Sequence, residues 1–223
     1  MTGPDSPPAG TIGVLLGVLG LLALANVARS VTVPPPWHLA FNVGLAAAVV
    51  AAGSVAHLSA KDLGMETHTL PQGLGLGGLV FLAIAAMVTV AALVPDAAGL
   101  FDDDRADIGL LSLLVRVLLI IPIGTVLVEE LIFRGVIHGL LSRLVTPLAA
   151  LAIGAVIFGL WHVFPAWRAA SSGVNVAVTF LSTTVAGFGF GWLRVRSGSV
   201  AAPALAHLGT NTIALTAAWI LAR

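Results

Sequence analysis

Residues 117–134 read VLLIIPIGTVLVEELIFR: an aliphatic run, interrupted only by Pro122, Gly124 and Thr125, that leads into Glu129, Glu130 and, four residues on, Arg134. Ionised side chains at membrane depth cost several kcal/mol or more, so they persist where they are paired, hydrated and used. At about 100° per residue, Glu130 and Arg134 share a helix face, acid before base, while Glu129 points about a quarter-turn away. Arg134 can hold Glu130 and leave Glu129 less encumbered. A carboxylate in a low-dielectric cleft resists ionisation, which suits it to take a proton from water. One buried ion pair would explain one Glu and one Arg; the second Glu has no charge partner within helical reach.

The rest of the chain supplies the setting. Of its 223 residues, 58% are hydrophobic and 9% charged, and mean hydropathy is +1.06, far outside the range of a soluble domain. The chain reads as an all-α, polytopic bundle of about 7–8 transmembrane helices. Ten basic and ten acidic residues balance to a net charge of zero, which gives no footprint for nucleic acid. With no cysteine there is no disulfide, thiolate metal site or catalytic thiol. The stretch before the first apolar run carries Asp5 and no Lys or Arg, so that run reads as a retained span rather than a cleaved signal peptide.

Apolar runs near twenty residues long mark the spans. Six are clear: 11–27, 37–58, 73–94, 147–164, 174–193 and 200–221. Gly13 with Gly17, and Gly187 with Gly191, have the small-xxx-small spacing of close helix packing. Trp37 and Trp192 fall where interface anchors belong. A polar link, 61–72, separates the second and third spans. Residues 108–145 are ambiguous, since one helix of that length reaches about 60 Å, twice the hydrocarbon thickness. Pro122 should kink or break it, leaving either one long bent helix or two shorter ones, and Arg116 within it reads as snorkelling or bundle-facing. Pro165 should end the fifth span, with Trp167, Arg168 and Ser171-Ser172-Gly173 in the loop beyond. The acidic connector 101–107 misses the spacing of a calcium loop and reads as solvated. No internal repeat is evident, and Lys and Arg divide equally between the two sides, so orientation is left open.

Three polar groups on three helices carry the functional argument. His207 and Asn211, four apart, share one face and aim two donors at one point, as an oxyanion needs. His162 lies on the fifth span, behind Phe158. An acid pair, a histidine and a His/Asn pair together hold the parts for hydrolysing an amide through activated water. No serine sits in a nucleophile motif, which disfavours Ser/His/Asp chemistry.

The order E-E-x-x-x-R, F-x-x-x-H, H-x-x-x-N resembles the CAAX protease and bacteriocin-processing (Abi) family, which includes the eukaryotic prenyl-protein endopeptidase. The resemblance spans about 108–215, so that 1–107 forms motif-free helices and 108–223 a catalytic core. It implies a glutamate-type intramembrane endopeptidase without a cofactor. Glu129 and His162 would activate water, His207 and Asn211 would form the oxyanion hole, and Glu130, Arg134 and Phe158 would brace the site. The expected substrate is a membrane-associated protein or peptide, with or without a lipid group, and the expected location a bacterial plasma membrane, from the short Ala-, Gly- and Val-rich chain. Three other readings stand beside it. Zinc could sit among Glu129 or Glu130, His162 and His207, although no H-E-x-x-H or H-x-x-E-H is present. The chain could be a non-catalytic scaffold or bacteriocin-immunity protein, or a transporter relaying protons.

Overall fold

The computed structural model describes residues 10–169 and 172–223. The readings that turned on Asp5 and Ser171 lie outside them. The described residues form helices joined by short turns, without a strand, and seven stretches are long and apolar enough to cross a membrane. We label the helices α1 (Thr11–Val31), α2 (His38–Val55), a short α3 (Ala60–Leu63), α4 (Leu70–Ala92), α5 (Leu110–Leu141), α6 (Pro147–Ala169), α7 (Gly173–Ser197) and α8 (Ala201–Leu221). Leucines such as Leu16, Leu24, Leu79, Leu82 and Leu118 face outward, as do Trp37 and Trp192, because the solvent for this surface is hydrocarbon and its headgroup boundary.

The ambiguous stretch is one helix. Pro122 does not break α5; the helix widens into π turns over Arg116–Leu127 and again over Leu131–Ile137. A proline has no N–H to give to the preceding turn, and wide turns are one way a helix absorbs that loss. Nearby, the Gly124 carbonyl accepts a 2.8 Å hydrogen bond from Asn42 Nδ2 on α2. A Cβ at Gly124 would stand 2.7 Å from Leu39 Cδ1, the movable end of a side chain, and 3.6 Å from Leu39 Cα. The first half of α5 is largely exposed, whereas Ile132, Val136, Ile137 and Leu140 are fully buried among residues of α1, α2 and α6. The acid pair therefore sits where α5 enters the bundle.

Pro165 does not end its helix either: α6 continues to Ala169, so Trp167 and Arg168 are helical rather than in a loop. The carbonyl that Pro165 leaves without its i+4 donor is that of Trp161. It accepts a 2.7 Å hydrogen bond from Asn26 Nδ2 on α1. Backbone irregularity at membrane depth is tolerated where a neighbouring helix re-satisfies it.

Small residues set two close contacts. Gly187 and Gly191 pack as their spacing suggests: a Cβ at 187 would lie 3.2 Å from Ala155 Cα, and one at 191 would lie 2.9 Å from Leu151 Cδ2. Gly13 and Gly17 do not, for nothing lies within 4 Å of either. The same spacing in Gly73 and Gly77 carries the contact instead, with a Cβ at 77 meeting the Ala202 carbonyl oxygen at 2.7 Å. This locks α4 against α8, the helix that carries His207. At the opposite end from the α1–α2 turn, Arg143 bonds the Ala56 and His57 carbonyls and Asp62. Arg194 bonds the Lys61 and Asp62 carbonyls, tying α3 to α5 and α7.

Gly77→Ala is expected to destabilise the protein by about 1–3 kcal/mol through overpacking, whereas Gly78→Ala, with open space around it, leaves stability at or above that of the parent. Thermal unfolding in one detergent compares them; equal melting of the two variants rejects the α4–α8 contact.

Candidate active site

Glu130 is fully buried and Arg134 is 3% exposed. Arg134 Nη1 donates to Glu130 Oε1 at 3.0 Å, the i to i+4 pair that helix geometry dictates. Its Nη2 donates at 3.2 Å to the Gly187 carbonyl of α7, and its guanidinium carbon lies 4.2 Å from the Phe158 ring centroid and 5.2 Å from that of Phe190. The cation is thus enclosed by one carboxylate, one carbonyl and two π faces. Glu130 Oε1 also accepts from His207 Nδ1 at 2.9 Å, so the pair joins α5 to α8. Glu130 Oε2 has no partner among the described residues.

Glu129 faces elsewhere, as the quarter-turn requires. Its Oε1 accepts from the Trp161 indole N–H at 3.3 Å. Its Oε2 is buried and makes no hydrogen bond with a described residue; His162 Nε2 and His207 Nε2 each stand 3.9 Å from it. That separation is too long for a direct hydrogen bond, and one water spans it with two bonds of ordinary length. Both imidazoles are oriented from behind. His162 Nδ1 bonds the Phe158 carbonyl at 2.8 Å, and His207 Nδ1 bonds Glu130. A carbonyl or a carboxylate accepts, so Nδ1 carries the proton in each ring, and a neutral ring turns a lone pair at Nε2 toward Glu129.

These groups share a cavity of about 910 Å³. Asn211 lines it one turn beyond His207, and its carboxamide makes no hydrogen bond with a described residue. Glu129, His162, His207 and Asn211 therefore line one cavity, Phe158 with them, while Glu130 and Arg134 lie behind its wall. Phe158 lies edge-on to His162 at 4.6 Å between centroids. Three participants carried no sequence signal for a place in the site, although the spacing of Gly187 marked it for helix packing. They are Trp161, Phe190, whose ring stacks on His207 at 5.0 Å, and Gly187, whose carbonyl rather than its smallness reaches Arg134. Aromatics within an apolar run look like lipid-facing or core residues until a partner is seen. Among the described residues, no cluster of three His, Asp or Glu side chains has the geometry of a metal site.

Seven membrane-capable helices around a buried carboxylate–imidazole cluster define an integral, multi-pass membrane protein with a polar centre suited to hydrolysis. Residues 110–213 match the family model described as type II CAAX prenyl endopeptidase, Rce1-like. Over this segment, just under half of its length, the chain is similar to the CAAX protease family, and the three motifs all fall inside the match. No curated protein and no solved structure matches it significantly.

Two substitutions separate bracing from chemistry. Glu130→Gln strands Arg134 and should cost about 3–5 kcal/mol of stability, read as a large drop in melting temperature, while Glu129→Gln melts with the parent. Trp161→Phe keeps the ring and removes the N–H, and is expected to slow cleavage about tenfold without lowering the melting point.

Proposed function

We propose that the chain is a glutamate-type intramembrane endopeptidase that cleaves a membrane-associated protein or peptide. The family supplies the class of reaction; the observation that carries the mechanism is Glu129 Oε2, buried and unpartnered, with two imidazole Nε2 atoms 3.9 Å away. A water between Glu129 and His162 gives up a proton as its oxygen attacks the scissile carbonyl, and Glu129 accepts it with the His162 Nε2 lone pair as second acceptor. The proton then passes to the leaving amine. Asn211 and His207 receive the developing oxyanion. For His207 this requires the imidazolium, because its Nδ1–H is already engaged and only that form has a second N–H at Nε2. Glu130 at 2.9 Å is the counter-charge for that form. Glu130 also turns Arg134 into a fixed post for the Phe158 and Phe190 rings that frame both histidines.

We favour a metal-free site. Tetrahedral zinc with bonds near 2.0 Å sets its ligand atoms about 3.3 Å apart, closer than the 3.9 Å seen here. The scaffold reading makes no use of an unpartnered Glu129 oxygen. A bacterial plasma membrane is in keeping with the composition, and a lipid group on the substrate with the apolar side of the cavity wall, where Leu119, Ile120 and Ile121 line it.

The test needs no known substrate. Protein termini are compared in native-host membranes carrying equal amounts of the parent or of Glu129→Gln, with and without a chelator. New termini that appear only with the parent, and survive chelation, are expected and identify the cut site. Identical termini in parent and variant would sink the catalytic role of Glu129, and loss on chelation would restore the metal.

A further inference from the structure

The wall of the cavity holds more cationic charge than the hydrolytic site uses. Besides Glu129, its charged lining residues are Arg29, Arg105 and Arg116. Arg105 is already engaged: it donates to both oxygens of Asp103 at 2.7–3.1 Å, and this bonding holds the Asp103 carboxyl below the usual carboxylate range. Arg116 gives one N–H to the Arg105 carbonyl at 3.3 Å and adds its charge to the same aspartate. Among the described residues Arg29 has neither kind of partner. Its Nε is buried without a hydrogen bond, and the guanidinium forms no ion pair with a described residue.

The place of Arg29 at the end of α1 does not account for it. A cation there is favoured by the helix dipole, yet the Ala28 carbonyl is already taken by the Thr32 N–H, the Thr32 hydroxyl and the Val33 N–H. A guanidinium that lines a cavity with no acceptor among the described residues is suited to bind a planar anion. Its position relative to the chemistry is fixed by a short relay. Arg29 lies one turn beyond Asn26, Asn26 holds the Trp161 carbonyl, and the Trp161 indole holds Glu129. That relay is on the order of 10–15 Å, the length of about three to four extended residues.

We propose that Arg29, with Arg116 as a weaker second, binds a carboxylate of the substrate peptide a few residues from the scissile bond and thereby sets where the peptide is cut. The carboxylate is either the chain terminus or an Asp or Glu side chain. The proposal rests on the endopeptidase reading for the word substrate, but the subsite is a binding property that exists whether or not a bond is broken.

The test is therefore a binding measurement on the full chain carrying Glu129→Gln, in nanodiscs of phosphatidylcholine. The probes are fluorescent, N-palmitoylated tetra-alanine peptides with a free C-terminal acid, with a C-terminal amide, and with the amide plus one glutamate in place of an alanine. At least one carboxylate probe should bind roughly ten- to hundredfold tighter than the plain amide, and the tighter of the two names the source. Arg29→Gln should erase the difference, and Arg29→Lys should restore part of it. Arg116→Gln should narrow it, which keeps the test open if Arg29→Gln does not fold. Equal binding of acid and amide overturns the proposal, as does an Arg29→Gln variant that weakens every probe alike. Loss of the discrimination when phosphatidylglycerol is added assigns the site to a lipid headgroup and also overturns it. Failure of the endopeptidase reading shows separately, as unchanged membrane termini beside intact carboxylate discrimination.

Discussion

An arginine and a glutamate buried in a bundle that faces hydrocarbon are the constraint around which this protein is built. Removing either partner leaves an uncompensated charge, so the surroundings have to satisfy both. They do so from four helices: Glu130 and Arg134 from α5, the Phe158 ring from α6, the Gly187 carbonyl and Phe190 ring from α7, and His207 from α8. Each satisfies one valence or one face of the pair. Because neighbouring residues on a helix diverge by about 100°, fixing Glu130 toward this centre turns Glu129 away from it and into the cavity. The structural ion pair and the chemically available carboxylate are thus two consequences of one register.

The helices without motifs hold the ones with motifs. Two prolines lie inside the helices that supply Glu129 and His162, and a neighbouring carbonyl in each is met by an asparagine from the N-terminal region, Asn42 for Gly124 and Asn26 for Trp161. In a bilayer these carbonyls have no water to turn to on the lipid side, so the amide side chains stabilise the irregular turns. The Asn26 bond also fixes the residue whose indole holds Glu129. The first 107 residues therefore shape the candidate site even though none of its motif residues lies among them.

Much of this architecture is legible in the amino-acid sequence. Span length, set by the thickness of hydrocarbon, marks the membrane helices, and the 3.6-residue period separates Glu129 from Glu130 and groups His207 with Asn211. What does not show there has a common cause. Gly13 and Gly17 have the same spacing as Gly73 and Gly77, but only the second pair meets another helix, and spacing does not say which face is turned inward. Pro165 reads as a stop because a sequence does not reveal that Asn26, 135 positions before Trp161, takes the freed carbonyl. Trp161 and Phe190 matter through a single N–H and a single stacked face, and nothing in an apolar run distinguishes them from their neighbours.

The proposed hydrolysis inside a membrane would set two demands that oppose each other, for water must reach the bond and hydrocarbon must not replace it. The burial pattern of α5 answers both. Its first half shows Leu111 and Leu118 to the outside, while Arg116 and Thr125 line the cavity, so one helix is at once an outward apolar wall and a partly polar cavity lining. Its second half is buried on almost every side, which closes the cavity beneath the acid pair. The longer run of π turns falls in the half that faces both ways, where a widened helix can turn polar groups inward without a break in the wall. Glu129 stands where these two regimes meet, 8% exposed and still on the cavity side of the seal.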